Sequence, residues 1–134
     1  MATPFTHIGL IGKYADASVG DTLATLRDYL LELGLEILLD EGTAAVWPDH
    51  QLPVADRDTL GARSDLIIVV GGDGTMLNAA RSLARYDIAI CGVNLGWLGF
   101  LTDISPEQMI AELAKILQGE YYEESRFLLH ACVV

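Results

Sequence analysis

Residues 65–75, DLIIVVGGDGT, constrain the fold of this chain more than any other stretch. A strand with one wet face alternates apolar and polar residues, whereas an unbroken run of Leu, Ile and Val suits a strand covered on both faces. Strands of that kind occur in parallel sheets flanked by helices, and this one passes directly into two glycines, an aspartate and a third glycine. Over 75–86, Met76, Ala79, Ala80 and Leu83 then recur at helical spacing. Strand, glycine turn and amphipathic helix in that order make one βα unit of a parallel sheet.

The flanking sequence repeats the pattern. HIGLIG, residues 7–12, reads as a second buried strand, closed by the polar, glycine-containing stretch 13–21. Over 21–33, Leu23, Leu26, Leu30 and Leu33 fall on one helical face, and Gly34 stands where a helix C-terminal cap is expected. Residues 35–39 read as a strand. Residues 40–64 hold two prolines, two glycines and five acidic residues and are predicted irregular, with one or two short helical turns; Gly61 is taken as a loop glycine there. Residues 88–93 are a further strand. Pro106 opens a helix with Ser105 as its cap, a core face of Met109, Ile110, Leu113, Ile116 and Leu117, and Gly119 after it. The predicted fold is α/β: a Rossmann-like parallel sheet with helices on both faces. Residues 121–134 break the rhythm, since they look extended and grow more apolar to the last residue. They are expected to lead into a further domain beginning near Phe127.

At 134 residues, against about 150 per domain, one domain or one and part of another is expected, and 51% hydrophobic residues suffice for a core. Eight Lys and Arg against nineteen Asp and Glu leave a net charge of −11, which repels nucleic-acid phosphates and anionic lipid. No nucleic acid and no membrane are expected as partners, and a small anionic ligand must be met by amides, a few cations or a metal. No basic residue precedes Lys13, and no apolar run approaches the roughly 20 residues of a membrane span, so a cytoplasmic location is expected. Cys91 and Cys132 lie in apolar strand-like stretches without metal-ligand spacing and read as buried thiols.

Two loops stand out as candidate sites, because ligands of open α/β sheets bind beyond the C-terminal ends of strands. In residues 71–75, glycine permits positive φ and lets a phosphate reach the backbone N–H groups, while the following helix adds a favourable dipole. Asp73 is the anomaly in such an anion cradle. It is a general base, a metal ligand, or merely the cap of the helix over 75–86. The loop lacks the GK[ST] of a Walker A motif, and Gly9 and Gly12 give only GxxG after the first strand. Residues 92–103, GVNLGWLGFLTD, form the second loop, with Trp97 and Phe100 either walling a ligand pocket or filling the core. Two such loops after adjacent strands share one sheet edge. Among the cations, Arg81 and Arg85 lie two or more helical turns from the anion-binding end and read as solvated, leaving Lys13 as the better local cation.

GGDGTMLNAAR at 71–81 together with GVNLGWLGFLTDI at 92–104 resembles the paired signatures of the NAD kinase family, in a compact form similar to bacterial members. RFLL at 126–129 is similar to that family's crossover into its C-terminal domain. GGDGT alone is shared with diacylglycerol and sphingosine kinases and phosphofructokinases; the second motif separates them. The resemblance implies a catalytic α/β domain over 1–125, with 126–134 starting a truncated β-rich domain. It implies ATP-dependent phosphorylation of the 2′-hydroxyl of the adenosine ribose of NAD, giving NADP. On that resemblance Asp73 is the proton acceptor, and Asp73 with Gly74 contacts NAD. Leu77 and Phe100 line the adenosine pocket, while Gly71, Gly72 and Thr75 meet the nucleotide phosphates. NAD and ATP are the implied substrates, Mg2+ accompanies ATP, and the whole protein is expected to be a homo-oligomer, dimer or tetramer. The family's remaining NAD-holding segments belong to the second domain, so half a site is expected here. An aspartate with an ordinary pKa of about 4 is ionised at neutral pH and suits the role of base, worth roughly 10²- to 10⁴-fold. The alternatives are another GGDGT-type kinase acting on a lipid or sugar phosphate, or a non-catalytic nucleotide-binding domain in which Asp73 only caps.

Overall fold

The computed structural model of the chain describes residues 5–12, 17–71, 73–86, 88–93, 106–117, 124–126 and 129–133. Their strands are β1 (His7–Gly12), β2 (Glu36–Asp40), β3 (Val54–Ala55), β4 (Leu66–Val70), β5 (Ala89–Val93), β6 (Glu124–Arg126) and β7 (Leu129–Val133). They form one sheet in the order β3-β2-β1-β4-β5-β7-β6. Every neighbouring pair is parallel except β6 with β7. The helices are α1 (Ala17–Glu32), α2 (Glu41–Ala44), α3 (Arg57–Arg63), α4 (Asp73–Leu83), continued by a 3₁₀ turn (Ala84–Tyr86), and α5 (Pro106–Leu117).

Side chains alternate between the two faces of the sheet, and each face has its own core. Ile8, Leu10, Ile37, Leu39, Ile68 and Val70 meet Leu23, Leu26 and Leu30 of α1 and Leu113 and Leu117 of α5. On the opposite face, Ile11, Ile67, Val69 and Ile90 meet Leu60 of α3 and Ala79 and Leu83 of α4. The Rossmann-like α/β fold with helices on both faces is therefore present. All five residues of β4 are buried, as an apolar run covered twice requires.

The structure departs from the sequence reading in several places, each with a physical cause. α1 begins at Ala17 rather than Asp21, because Val19 is buried and extends the Leu23, Leu26 and Leu30 stripe by one turn. Leu33 is not on the core face. The helix ends at Glu32, Gly34 turns the chain with φ +79°, and Leu33 is left 48% exposed. Residues 40–64 contain the expected short helices and also β3, which joins the sheet through two residues, Leu39↔Val54 and Asp40↔Ala55. Gly61 is not a loop glycine: it is buried in α3 against the Tyr86 ring. Residues 129–133 lie in this same sheet, parallel to β5, with Cys132 in register with the buried Cys91. Ser105, Gly119 and most of the second glycine-rich loop, including Trp97 and Phe100, lie outside the described residues.

Candidate functional site

From β1 the chain winds outward through β2 and β3, then returns to place β4 on the other side of β1 and continues to β5. The C-terminal ends of β1 and β4 therefore flank the topological switch point of the sheet, where open α/β sheets leave a crevice. A cleft of about 450 Å³ opens there, within the usual range of about 300–1,000 Å³ for small-molecule sites. Ile11 and Gly12 from β1 form its floor, the start of α4 gives one wall through Gly74, Thr75 and Asn78, and the opposite wall holds Asp40, Thr43 and Arg57.

The glycine wall follows from backbone requirements. Gly71, immediately after β4, has φ +153°, a conformation L side chains rarely adopt. A Cβ there would also stand 3.1 Å from Thr75 Oγ1. Its N–H donates to the Val93 carbonyl at the end of β5, 3.1 Å away. The turn delivers the chain into α4, whose first residue is Asp73. The first N–H groups of such a helix lack intrahelical acceptors and carry the positive end of its dipole. Gly74, exposed, has nothing within 4 Å of where a Cβ would sit, so this end of α4 is open to a close-approaching anion.

The opposite wall is polar and tightly joined. Arg57 Nε donates to Asp40 Oδ1 at 2.8 Å, and Arg57 Nη1 donates to Ser82 Oγ at 2.6 Å and Asn78 Oδ1 at 3.3 Å. One guanidinium thus ties the end of β2 to the middle of α4. Thr43 is buried and locks the end of β1: its hydroxyl donates to the Gly12 carbonyl and accepts from the Gly12 N–H, both at 3.0 Å. Its backbone N–H donates to Asp40 Oδ2 at 3.3 Å.

Of the residues singled out in the sequence, Gly71, Gly74 and Thr75 come together at the cleft or its rim. Gly72, Phe100, Lys13 and the Asp73 side chain lie outside the described residues. Leu77 is 53% exposed on α4 and does not line the cleft. Arg81 is exposed. Arg85 is exposed too, and its guanidinium is engaged by Asp58 and by the Tyr86 hydroxyl and ring. The cleft's cation is Arg57, which the sequence reading missed together with Asp40, Thr43 and Asn78. The available signal was Asp40 itself, an acid closing the second strand of a Rossmann-like unit. Among the described residues, no group of three or more His, Cys, Asp or Glu comes together to hold a metal ion. Among the same residues, no helix is long and apolar enough to cross a membrane.

A doubly wound sheet with an open helix amino end and a polar cleft at its switch point defines a nucleotide-binding α/β domain. The chain belongs to the ATP-NAD kinase N-terminal domain family, whose model matches residues 8–121. It is 50% identical over 129 residues to an NAD kinase of Hahella chejuensis, covering 96% of this chain and 44% of the relative. To an NAD kinase of Azotobacter vinelandii it is 48% identical, again over 96% of this chain and 44% of the relative. To one of Nitrosococcus oceani it is 50% identical over 98% and 45%. The chain therefore spans less than half the length of the curated relatives it matches. A crystal structure of yeast NADH kinase complexed with NADH superposes with a TM-score of 0.69 at 17% identity, over 92% of this chain and 41% of that one, which shows the shared fold.

Proposed function

We propose that this chain supplies the donor-side half of an enzyme that phosphorylates the 2′-hydroxyl of the adenosine ribose of NAD with ATP. The observation that carries this reading is the position of the GGDGT turn. It brings the open amino end of α4 onto a cleft of nucleotide size, in a chain of the ATP-NAD kinase N-terminal domain family. In this reading Gly71, Gly72, Gly74 and Thr75 receive the phosphates, and ATP lies in the cleft. Asp73, the first residue of α4, accepts the proton of the 2′-hydroxyl as that oxygen bonds to the γ-phosphorus and the bond to ADP breaks. Gly74 shares the contact to NAD, and Leu77, exposed on α4, lines the adenosine pocket with Phe100.

The described residues do not form a resident metal site, so Mg2+ is assigned to the donor's phosphate oxygens, where it would offset charge. The domain division belongs to the same proposal. Residues 1–125 form the catalytic α/β domain, 126–134 lead into a β-rich domain that completes the NAD site, and the whole protein is a cytoplasmic homo-oligomer.

The test is ATP-dependent conversion of NAD to NADP by the complete gene product, with Asp73→Asn beside it. Asn is nearly isosteric and still caps a helix, so NAD affinity is expected to survive while kcat falls by roughly two to four orders of magnitude. A variant retaining more than about a tenth of wild-type kcat would return Asp73 to a capping role. Phosphorylation of a lipid or sugar phosphate in place of NAD would favour the other GGDGT kinases.

A further inference from the structure

We infer that Asp40 is a specificity-determining residue that reads the ribose hydroxyls of the phosphoryl donor. The inference rests on the reading above that the cleft takes that donor. Asp40 closes β2, its side chain is only 7% exposed, and it lines the cleft on the wall facing the amino end of α4. A carboxylate offers about four lone-pair positions. Arg57 Nε fills one on Oδ1 at 2.8 Å, and the Thr43 N–H fills one on Oδ2 at 3.3 Å. The Thr43 hydroxyl has a single proton, and its 3.0 Å bond to the Gly12 carbonyl is better placed than the 3.4 Å approach to Asp40 Oδ2. Acceptor capacity therefore remains on both oxygens of a buried carboxylate, and buried polar groups are ordinarily fully bonded.

Charge and space narrow what can fill it. Arg57 already balances the Asp40 charge, so a cationic ligand gains little there and a neutral donor of two hydrogen bonds fits best. With phosphates held across the cleft at Gly74 and Thr75, the group of a nucleotide with that chemistry is the vicinal diol of its ribose. Gly42 keeps the approach open. A Cβ at this position would sit 3.2 Å from Asp40 Oδ2, and no other atom lies within 4 Å of it. Glycine inside a helix is otherwise a liability, because alanine would favour α2. Its presence beside the carboxylate is explained by the ligand that must reach Oδ2.

The experiment compares ATP with 2′-deoxy-ATP and 3′-deoxy-ATP as donors for the complete protein at saturating NAD, in wild type, Asp40→Asn and Gly42→Ala. The wild type is expected to prefer ATP over at least one deoxy donor by roughly ten- to a hundredfold in kcat/KM, the range for a lost hydrogen bond to a charged group. Asp40→Asn should collapse that ratio toward one by raising KM for ATP, with KM for NAD unchanged. Gly42→Ala should raise KM for ATP without lowering the unfolding midpoint, and it decides the matter if Asp40→Asn does not fold. A donor ratio that stays at its wild-type value in the variants, an equal fall in kcat with every donor, or a rise in KM for NAD instead of ATP would overturn the assignment while leaving the kinase reading in place. Failure of the wild type to make NADP from any donor would overturn the function itself, and the inference with it.

Discussion

Replacing Gly61 with alanine is expected to destabilise the protein although alanine is the better helix former. The new Cβ would lie 2.4 Å from Tyr86 Cδ2, 2.7 Å from Cγ and 2.8 Å from Cε2, distances real Cβ contacts do not reach. The ring cannot simply swing aside. Its hydroxyl bonds Asp58 Oδ1 and Arg85 Nη2, each at 2.9 Å, and the Arg85 guanidinium stacks 5.0 Å from the ring centroid. Overpacking of this kind costs about 1–3 kcal/mol, and the helix preference of alanine over glycine returns about 0.5–1 kcal/mol. The net loss is then on the order of 1–2 kcal/mol. Urea unfolding of Gly61→Ala, Tyr86→Ala and the double variant tests both parts. With the ring removed, Gly61→Ala should become neutral or stabilising. A single variant as stable as wild type, or an equal loss in the Tyr86→Ala background, would refute the steric account.

Gly71→Ala should weaken nucleotide binding tenfold or more, since φ +153° and the 3.1 Å approach to Thr75 Oγ1 are both incompatible with a Cβ. Gly34→Ala, at φ +79° in open space, should cost about 1–2 kcal/mol of stability and leave binding alone; titration calorimetry and unfolding curves on the pair separate the two. Leu60→Ala removes a fully buried side chain between α3 and the sheet and should cost about 2–5 kcal/mol in unfolding free energy. At Asp65, burial pushes the carboxyl up, but the Thr6 and His7 N–H groups, the Thr6 hydroxyl and the His7 ring outweigh it and hold it below its ordinary 3.8. The unfolded state therefore takes up that proton first. The stabilisation is complete above pH 3.8 and is lost as the pH falls below it through the folded value. Asp65→Asn should flatten this acid limb in unfolding midpoints measured from neutral to acid pH, and an unchanged slope would refute the assignment.

What the sequence disclosed and what it hid divide along the range of the interactions involved. β4 and the glycine turn were legible because an apolar run and its glycines are local facts. So was the core stripe of α1, apart from Leu33, whose exposure depends on where Gly34 stops the helix. β3 was not legible, since two residues carry no periodicity and its existence depends on pairing with β2. In α3, Leu60 and Gly61 are the buried residues of a seven-residue helix, too few to show a helical face, which is why Gly61 passed for a loop residue. The site split the same way. The α4 wall was readable from GGDGT, whereas Arg57 becomes part of the cleft only through partners 17 to 25 positions away in β2 and α4.

The hydrogen bond from the Gly71 N–H to the Val93 carbonyl gives the anion cradle a second anchorage. Its root hangs from β5 as well as from its own strand, and Val93 is the last residue before the second glycine-rich motif. Whatever tension that motif puts on the end of β5 is delivered to the first residue of the cradle through a single main-chain link, with no side chain in between. No substitution can delete this link without putting proline at 71, where the ring could not adopt the turn. The two signatures that identify the family are in this sense one mechanical unit: a displacement at the second motif that lengthens the 3.1 Å bond would leave a strained glycine with an unmet donor at the mouth of α4.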